Sequence, residues 1–205
     1  MADELILYTN PQSRGRVARW MLEEIGEPYR TEVLDYGTSM KSPEYLAINP
    51  MGKVPTVVHR KHVVTECAAI CVYLADAFPR AGLKPEPGER ANYFRWLFFA
   101  AGPLEAAIID SRLFGLEPDA DQQRRVGYGN YAVVMDALAQ AFKSNPYVAG
   151  DRFTAADVYV GAQITWGLEF GTIEMRREFQ DYSERVVQRQ AYRRATELDD
   201  AFVRA

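Results

Sequence analysis

The chain has 205 residues, with 24 Lys and Arg against 28 Asp and Glu and a formal net charge of −4. Hydrophobic residues make up 48% of it, which excludes a mainly disordered chain, and the acidic balance argues against general nucleic-acid binding. No apolar run reaches the roughly 20 residues of a membrane span, and the N-terminus does not resemble a secretory signal. The two cysteines, Cys67 and Cys71, form no disulfide framework, so we expect a cytoplasmic protein.

Residues 1–79 alternate strand and helix patterns, in the order strand, helix, strand, short helix, two strands and a last helix. A long connection between the first two strands predicts a parallel pair, and a tight turn at Arg60-Lys61 predicts an antiparallel hairpin, so the sheet is mixed. The predicted elements lie at 4–8, 17–25, 29–34, 43–46, 54–58, 63–64 and 66–78, with Thr65 as the cap of the last helix.

Glycine and proline at 80–88 indicate a linker, and helical periodicity dominates beyond it. The sequence therefore predicts an α/β domain at 1–79 and an all-α domain at 89–205. Helices are predicted at 89–114, at 122–142, from Thr154 onward, and within 176–205.

Pro55 opens an apolar strand, a position that suits a residue unable to donate to a strand ladder. If the Val54–Pro55 bond is cis, Val54 presents its own N–H and C=O to an extended, peptide-like ligand. The alternative is an ordinary trans proline at an edge strand, because cis is the minority form.

Two helix starts are candidate anion sites. With Thr65 as the cap, the N–H groups of Glu66 and Cys67 lie at a positive helix end, and the Glu66 carboxylate suits an ammonium group. Such a pair would hold the end of an α-amino acid, although Glu66 also has the simpler use of complementing the helix dipole. Ser13 lies where the first strand turns into the first helix, and its hydroxyl suits either an anion or a helix cap.

Other charged and metal-binding residue types give weaker signals. His59 and His62 flank a hairpin turn whereas Cys67 and Cys71 lie on a helix, so no metal site is expected. The basic residues of the first helix, Arg14, Arg16 and Arg19, are interpreted as a solvated face or a dimer contact.

Taken together, these stretches resemble the glutathione S-transferase family over the whole chain. Residues 49–58 are similar to its loop with a cis proline, 65–74 to its Glu-Ser-x-Ala-Ile helix, and 13–24 to the first helix of bacterial and theta-like members. Residues 150–158 are similar to its N-capping box and hydrophobic staple, with Thr154 as the cap and Asp157 reciprocating.

The resemblance implies a thioredoxin-like N-terminal domain with a mixed four-stranded sheet, followed by a C-terminal helical bundle. It implies a cytoplasmic homodimer that uses glutathione as co-substrate, needs no metal, and acts on neither nucleic acid nor membranes. The implied reaction is attack of the glutathione thiolate on a small hydrophobic electrophile. A glutathione-dependent peroxidase or reductase and a non-catalytic glutathione-binding scaffold stay open as alternatives.

The resemblance also implies roles for individual residues in glutathione binding. Val54, beside Pro55, pairs with the cysteinyl backbone, and Glu66 and Cys67 hold the γ-glutamyl end. Lys53 lies near the glycyl carboxylate.

Ser13 is the implied donor to the thiolate. Tyr8 is its rival, followed by Asn10 or a backbone N–H group, and Lys41 is a further candidate for the glycyl end. Cys67 stands where the family usually has serine, and a thiol is the weaker donor.

Overall fold

The computed structural model describes residues 4–204, which form two compact units. One unit holds the described residues up to Lys84 together with those from Gln188 on, and the other holds Pro85–Val187. Among the described residues, no helix combines the length and apolar character that crossing a membrane requires. The predicted domain limits at residues 1 and 205 lie outside the described residues.

The first unit is built on a four-stranded sheet with the spatial order β2-β1-β3-β4. β1 pairs in parallel with β2, whereas the β1–β3 and β3–β4 pairs are antiparallel. The mixed sheet predicted from the sequence is therefore confirmed. Its strands are β1 (Leu5–Thr9), β2 (Arg30–Val33), β3 (Thr56–His59) and β4 (His62–Thr65).

Three helices follow the strands of this unit. α1 (Gly15–Ile25) packs against β1 and against α3 (Cys67–Ala77), while the short α2 (Pro43–Leu46) is capped by the Ser42 side chain. α1 ends because Gly26 adopts a left-handed conformation, with φ 71°, and donates its N–H to the Leu22 carbonyl. The fully buried residues of the unit include Leu7, Met21, Leu22, Val57, Ile70 and Leu74.

The second unit begins with one continuous helical run close to the predicted 89–114. Two π-helical segments, Ala100–Leu104 and Ile109–Leu113, flank α5 (Glu105–Ile108) within it, after α4 (Arg90–Phe99). Pro103 lies in the first of these segments and supplies no N–H to the helical ladder.

The predicted single helix at 122–142 is wrong, because the chain forms α6 (Ala120–Gln123) and then a separate α7 (Tyr131–Ser144). Asn130 caps α7, because its side chain accepts the Val133 N–H at 3.0 Å and its own backbone is extended. A residue with an extended backbone cannot lie inside a continuous helix.

Two further helices, α8 (Ala155–Glu169) and α9 (Arg177–Val187), complete the second unit. The predicted capping box is confirmed, since one Asp157 oxygen accepts from the N–H and hydroxyl of Thr154 at 2.9 and 3.0 Å. The other oxygen accepts from the Val148 N–H at 2.8 Å and the Tyr182 hydroxyl at 2.9 Å. Burial nevertheless raises the pKa of Asp157 to about 6.

The last helix, α10 (Gln190–Arg204), packs against α1 and so belongs to the sheet unit. Four arginine–carboxylate pairs join α1 to α10 and the residue before it: Arg16–Asp200, Arg19–Asp199, Arg189–Glu24 and Arg194–Glu23. The solvated or dimer-contact role expected of Arg19 is wrong, because this side chain is only 2% exposed. The division of folding domains at 80–88 stays a prediction.

Candidate functional site

The register of the sheet brings the three predicted site segments to one edge. Tyr8 of β1 lies opposite Thr56 of β3, and Thr56 lies opposite Thr65 of β4. The turn after β1, the loop before β3 and the start of α3 therefore leave the sheet side by side. The Cys67 thiol, which donates to the Arg14 carbonyl at 3.6 Å, links the starts of α3 and α1 directly.

The Val54–Pro55 peptide bond is cis. The Lys53 carbonyl accepts from the Tyr45 hydroxyl at 2.5 Å and from the Asn49 amide at 2.9 Å, so the loop is fixed on one side. Within residues 4–204, neither the N–H nor the C=O of Val54 has a hydrogen-bond partner. An extended peptide can pair with this backbone as an added strand does.

Thr65 does not cap α3, contrary to the sequence prediction. It is the last residue of β4, paired with Thr56, so its backbone stays extended and the helix begins at Cys67. The N-cap position falls to Glu66, which has φ 65° although it is not glycine. Such a conformation costs about 1–3 kcal/mol and is concentrated at ligand-binding sites.

The Ser13 hydroxyl already serves the protein. It donates to the Asn10 carbonyl at 2.6 Å and accepts from the Gly15 N–H at 2.9 Å. A hydroxyl has one proton, so Ser13 donates to a ligand only when that proton turns away from Asn10.

The other proposed donors differ in how far they are occupied. The Tyr8 hydroxyl has no hydrogen-bond partner in the described part of the chain, and its ring lies 5.5 Å from that of Tyr45. Asn10 donates its amide to the Leu34 carbonyl at 2.8 Å, so it serves the turn. Lys41 donates to the Gly52 carbonyl at 2.7 Å, on the loop that carries the exposed Lys53.

Sequence reasoning missed the polar residues that hold the site loops. The Tyr45 hydroxyl and the Asn49 amide both contact the buried Thr56 hydroxyl, at 2.8 and 3.1 Å, in addition to the Lys53 carbonyl. Asn49 also accepts the Met51 N–H at 3.1 Å through its side-chain oxygen. The available signal was Asn49 before Pro50, since asparagine before proline commonly starts a turn.

The histidine and cysteine side chains named above do not come together as a metal site. His59 Nδ1 and the Tyr73 hydroxyl share a 2.9 Å hydrogen bond. Burial raises the pKa of the Cys71 thiol well above its ordinary value. Among the described residues, no group of three or more His, Cys, Asp or Glu side chains is placed to hold a metal ion.

A groove of about 940 Å³ lies elsewhere in the first unit, between α1 and α10. The described residues that line it include none of those predicted to bind glutathione, so this groove is distinct from the sheet-edge site.

Known proteins resemble the chain across its length. A family model described as "Glutathione S-transferase, N-terminal domain" matches residues 3–76. Glutathione S-transferase GST-4.5 of Xanthomonas campestris pv. campestris is 33% identical over 176 residues, which span 80% of this chain and 83% of that protein. A Stringent starvation protein A homolog of Histophilus somni is 25% identical over 178 residues, 85% of this chain and 81% of that protein.

Solved structures agree with the sequence matches. The theta-class glutathione S-transferase of Xanthomonas axonopodis pv. citri, solved with glutathione bound, is 27% identical with a TM-score of 0.73. The match covers 95% of this chain and 97% of that one. The sheet order, the cis proline and these matches agree, and the chain belongs to the glutathione S-transferase family.

Proposed function

We propose that the protein is a glutathione transferase, which activates the thiol of glutathione for attack on a small hydrophobic electrophile. The observation that carries the proposal is that, among residues 4–204, the N–H and C=O of Val54 have no hydrogen-bond partner, beside the cis Pro55 and at the same sheet edge as Ser13 and Glu66. The related proteins named as transferases support the same class of reaction.

Glutathione fits this edge as an extended peptide with an amino-acid end. Its cysteinyl N–H and C=O pair with the backbone of Val54. The γ-glutamyl ammonium pairs with the carboxylate of Glu66, and its α-carboxylate accepts from N–H groups at the start of α3, where Cys67 lies. Lys53 pairs with the glycyl carboxylate, and Lys41 supports the loop beneath it.

Ser13 stabilises the thiolate. Its proton turns from the Asn10 carbonyl to the sulfur, while the positive end of α1 adds to the stabilisation of the anion. The thiol proton passes to solvent, the sulfur forms a bond to the electrophilic carbon, and the leaving group departs with its electron pair. Bringing both reactants together supplies the rest of the acceleration.

A non-catalytic glutathione-binding protein is the second candidate. One observation favours it: the Ser13 hydroxyl donates within its own turn and must give up that hydrogen bond to donate to a thiolate. The match to a Stringent starvation protein A homolog adds a relative that is not named as a transferase. A glutathione-dependent peroxidase or reductase is the third, because the same thiolate can attack a peroxide, with a second glutathione then forming glutathione disulfide and releasing water.

One set of assays separates these functions. Glutathione affinity is measured by calorimetry, and products are identified after incubation with glutathione plus a chloronitrobenzene or an organic peroxide. A conjugate whose formation falls in Ser13→Ala, with affinity retained, supports the transferase. Glutathione disulfide without conjugate favours the peroxidase, and binding without either product favours the carrier.

The family also implies that the protein works in the cytoplasm as a homodimer. Apolar side chains such as Met51 and Phe98 are 70% and 73% exposed, and burial in a dimer would remove such surface from water. Sedimentation at micromolar concentration tests the dimer, and a monomer there contradicts it.

A further inference from the structure

The guanidinium of Arg16 joins two parts of the first unit. Its Nε donates to the Pro11 carbonyl at 2.5 Å, and its Nη2 donates to the Asp200 carboxylate at 2.7 Å. Arg16 is the second residue of α1, Pro11 lies in the turn after β1, and Asp200 lies on α10. The side chains of Arg16 and Asp200 are 26% and 37% exposed, so this contact is partly shielded from solvent.

The turn that Arg16 contacts is the one that carries Ser13. The Ser13 N–H donates to the Asn10 carbonyl at 3.1 Å, which closes a four-residue turn with Pro11 and Gln12 at its centre. The central peptide of such a turn can adopt two orientations, which distinguish type I from type II. The bond from Arg16 to the Pro11 carbonyl helps to hold this peptide in one of them.

A second contact restrains the same peptide. Asn10 holds the turn at its start, donating to Leu34 and accepting the Gln12 N–H at 2.9 Å. The Gln12 N–H and the Pro11 carbonyl belong to one planar peptide, so Asn10 and Arg16 hold this peptide from opposite sides, and the bond from Arg16 connects it to α1.

We propose that Arg16 is a positioning residue for the Ser13 hydroxyl and that Asp200 anchors it, so that the C-terminal helix sets the geometry of the thiol-activating turn. The part of this inference that concerns the thiol rests on the proposed glutathione transferase function. The part that concerns the turn rests on the contacts of Arg16 alone.

The other ion pairs between these helices supply a matched control. Arg194 donates to Glu23 at 2.6 Å and makes no hydrogen bond or ion pair with residues 10–13 among the described residues. Arg194→Gln therefore removes an ion pair between α1 and α10 but leaves the turn untouched.

Arg16→Lys is the decisive variant. Lysine keeps the positive charge, but it has a single ammonium nitrogen. The guanidinium donates to Pro11 and Asp200 from two separate nitrogens, an arrangement that lysine does not reproduce. Asp200→Asn keeps the shape of the anchor and removes its charge. Each variant is compared with Arg194→Gln for amide exchange at Gln12 and Ser13, for melting temperature, and for the pKa of the bound glutathione thiol.

We expect amide exchange at Gln12 and Ser13 to become about three- to tenfold faster in Arg16→Lys, the loss of one hydrogen bond. We expect the bound thiol pKa to rise by about half a unit to one unit, with glutathione affinity changed less than the thiol pKa. Asp200→Asn should shift both quantities in the same direction by less, and Arg194→Gln should shift neither.

Unchanged amide exchange in Arg16→Lys overturns the proposal, whether or not glutathione binds. Equal effects in Arg194→Gln also overturn it, because they would reflect helix docking in general. Failure of the wild-type protein to bind glutathione contradicts the proposed function instead, and the exchange result then still decides whether Arg16 positions the turn.

Discussion

The hydroxyl of Ser13 donates a 2.6 Å hydrogen bond to the main-chain carbonyl of Asn10. The same oxygen accepts the N–H of Gly15, the first residue of α1. Ser13 thus stabilises the start of the helix before any ligand binds, and its proton has to leave Asn10 to serve a thiolate. A helix-capping role and a chemical role therefore share one side chain.

Replacing Ser13 should separate those two roles. Ser13→Ala removes the acceptor for Gly15 and should lower the free energy of unfolding by about 1 kcal/mol. It also removes the donor to the thiolate, and we expect a loss of about a hundredfold in kcat/KM, the size typical of one preorganised donor. Ser13→Thr retains the hydroxyl and is the control. A stability loss with an unchanged rate would identify Ser13 as a cap only.

Gly15 has no room for a side chain. A Cβ at this position would lie 1.9 Å from Oγ1 of the buried Thr9, so we expect Gly15→Ala to cost about 1–3 kcal/mol in unfolding free energy. Gly88→Ala is the control, because a Cβ at Gly88 meets open space. Denaturant unfolding measures both, and equal stability of the two variants would refute the close contact.

Asp157 should give a pH-dependent contribution of unusual sign. Its folded pKa of about 6 exceeds its ordinary 3.8, so the folded state binds more protons between these values. Its contribution to stability is fully present below 3.8 and is lost as the pH rises through about 6. Two pKa units correspond to about 3 kcal/mol.

The comparison with Asp157→Asn isolates this effect, since an amide does not titrate. We expect the stability advantage of the wild type over Asp157→Asn to be larger at about pH 4.5 than at about pH 7. Denaturant unfolding at both pH values measures it. An advantage that grows with pH would mean that hydrogen bonds to the charged form outweigh burial.

The Arg19–Asp199 ion pair is almost fully buried, with a separation of 2.8 Å and exposures of 2% and 0%. Within the described chain, Arg19 Nη2 and Asp199 Oδ2 have no hydrogen-bond partner, and burial raises the pKa of Asp199. Asp199→Ala should lower the unfolding free energy by about 3–5 kcal/mol, because it leaves a buried, unpaired guanidinium.

The double variant Arg19→Met, Asp199→Leu should be more stable than Asp199→Ala, since it buries no unpaired charge. Thermal unfolding of the set provides the measurement. A double variant less stable than Asp199→Ala would show that the pair itself is strongly stabilising.

The two cysteines should differ in reactivity. Cys71 is 0% exposed and burial raises its pKa well above the ordinary value, whereas Cys67 is 9% exposed at the start of α3. A charged thiol reagent should modify Cys67 before Cys71, which should react only on unfolding. Mass spectrometry of partly modified native protein locates the label, and early labelling of Cys71 would disprove its burial in solution.

Local patterns predict much of the fold. Alternating strand and helix periodicity and the lengths of the connections predict the mixed sheet of the first unit, and Thr154 with Asp157 predicts the capping box of the second, because these signals lie in residues close in sequence. The cis form of Pro55 could not be chosen from the residues alone, since trans is the commoner form, and the family resemblance was needed.

Features that depend on distant contacts were missed. Thr65 was assigned to the helix because the ladder that holds it extended comes from Thr56, a strand away. The burial of Arg19 depends on Asp199, 180 residues later in the chain, and nothing near Arg19 in sequence signals that partner. The Tyr45 and Asn49 contacts to the Lys53 carbonyl likewise depend on how the loop folds.

The central claim is that the Ser13 turn activates glutathione, and a pH titration of the thiolate absorbance of bound glutathione tests it most directly. The wild type should show a bound-thiol pKa well below the free value of about 8.5, and Ser13→Ala should restore that value while Tyr8→Phe leaves it low. Loss of the shift in Tyr8→Phe alone would move the donor role to Tyr8. An unshifted thiol in a wild-type protein that binds glutathione would contradict activation altogether.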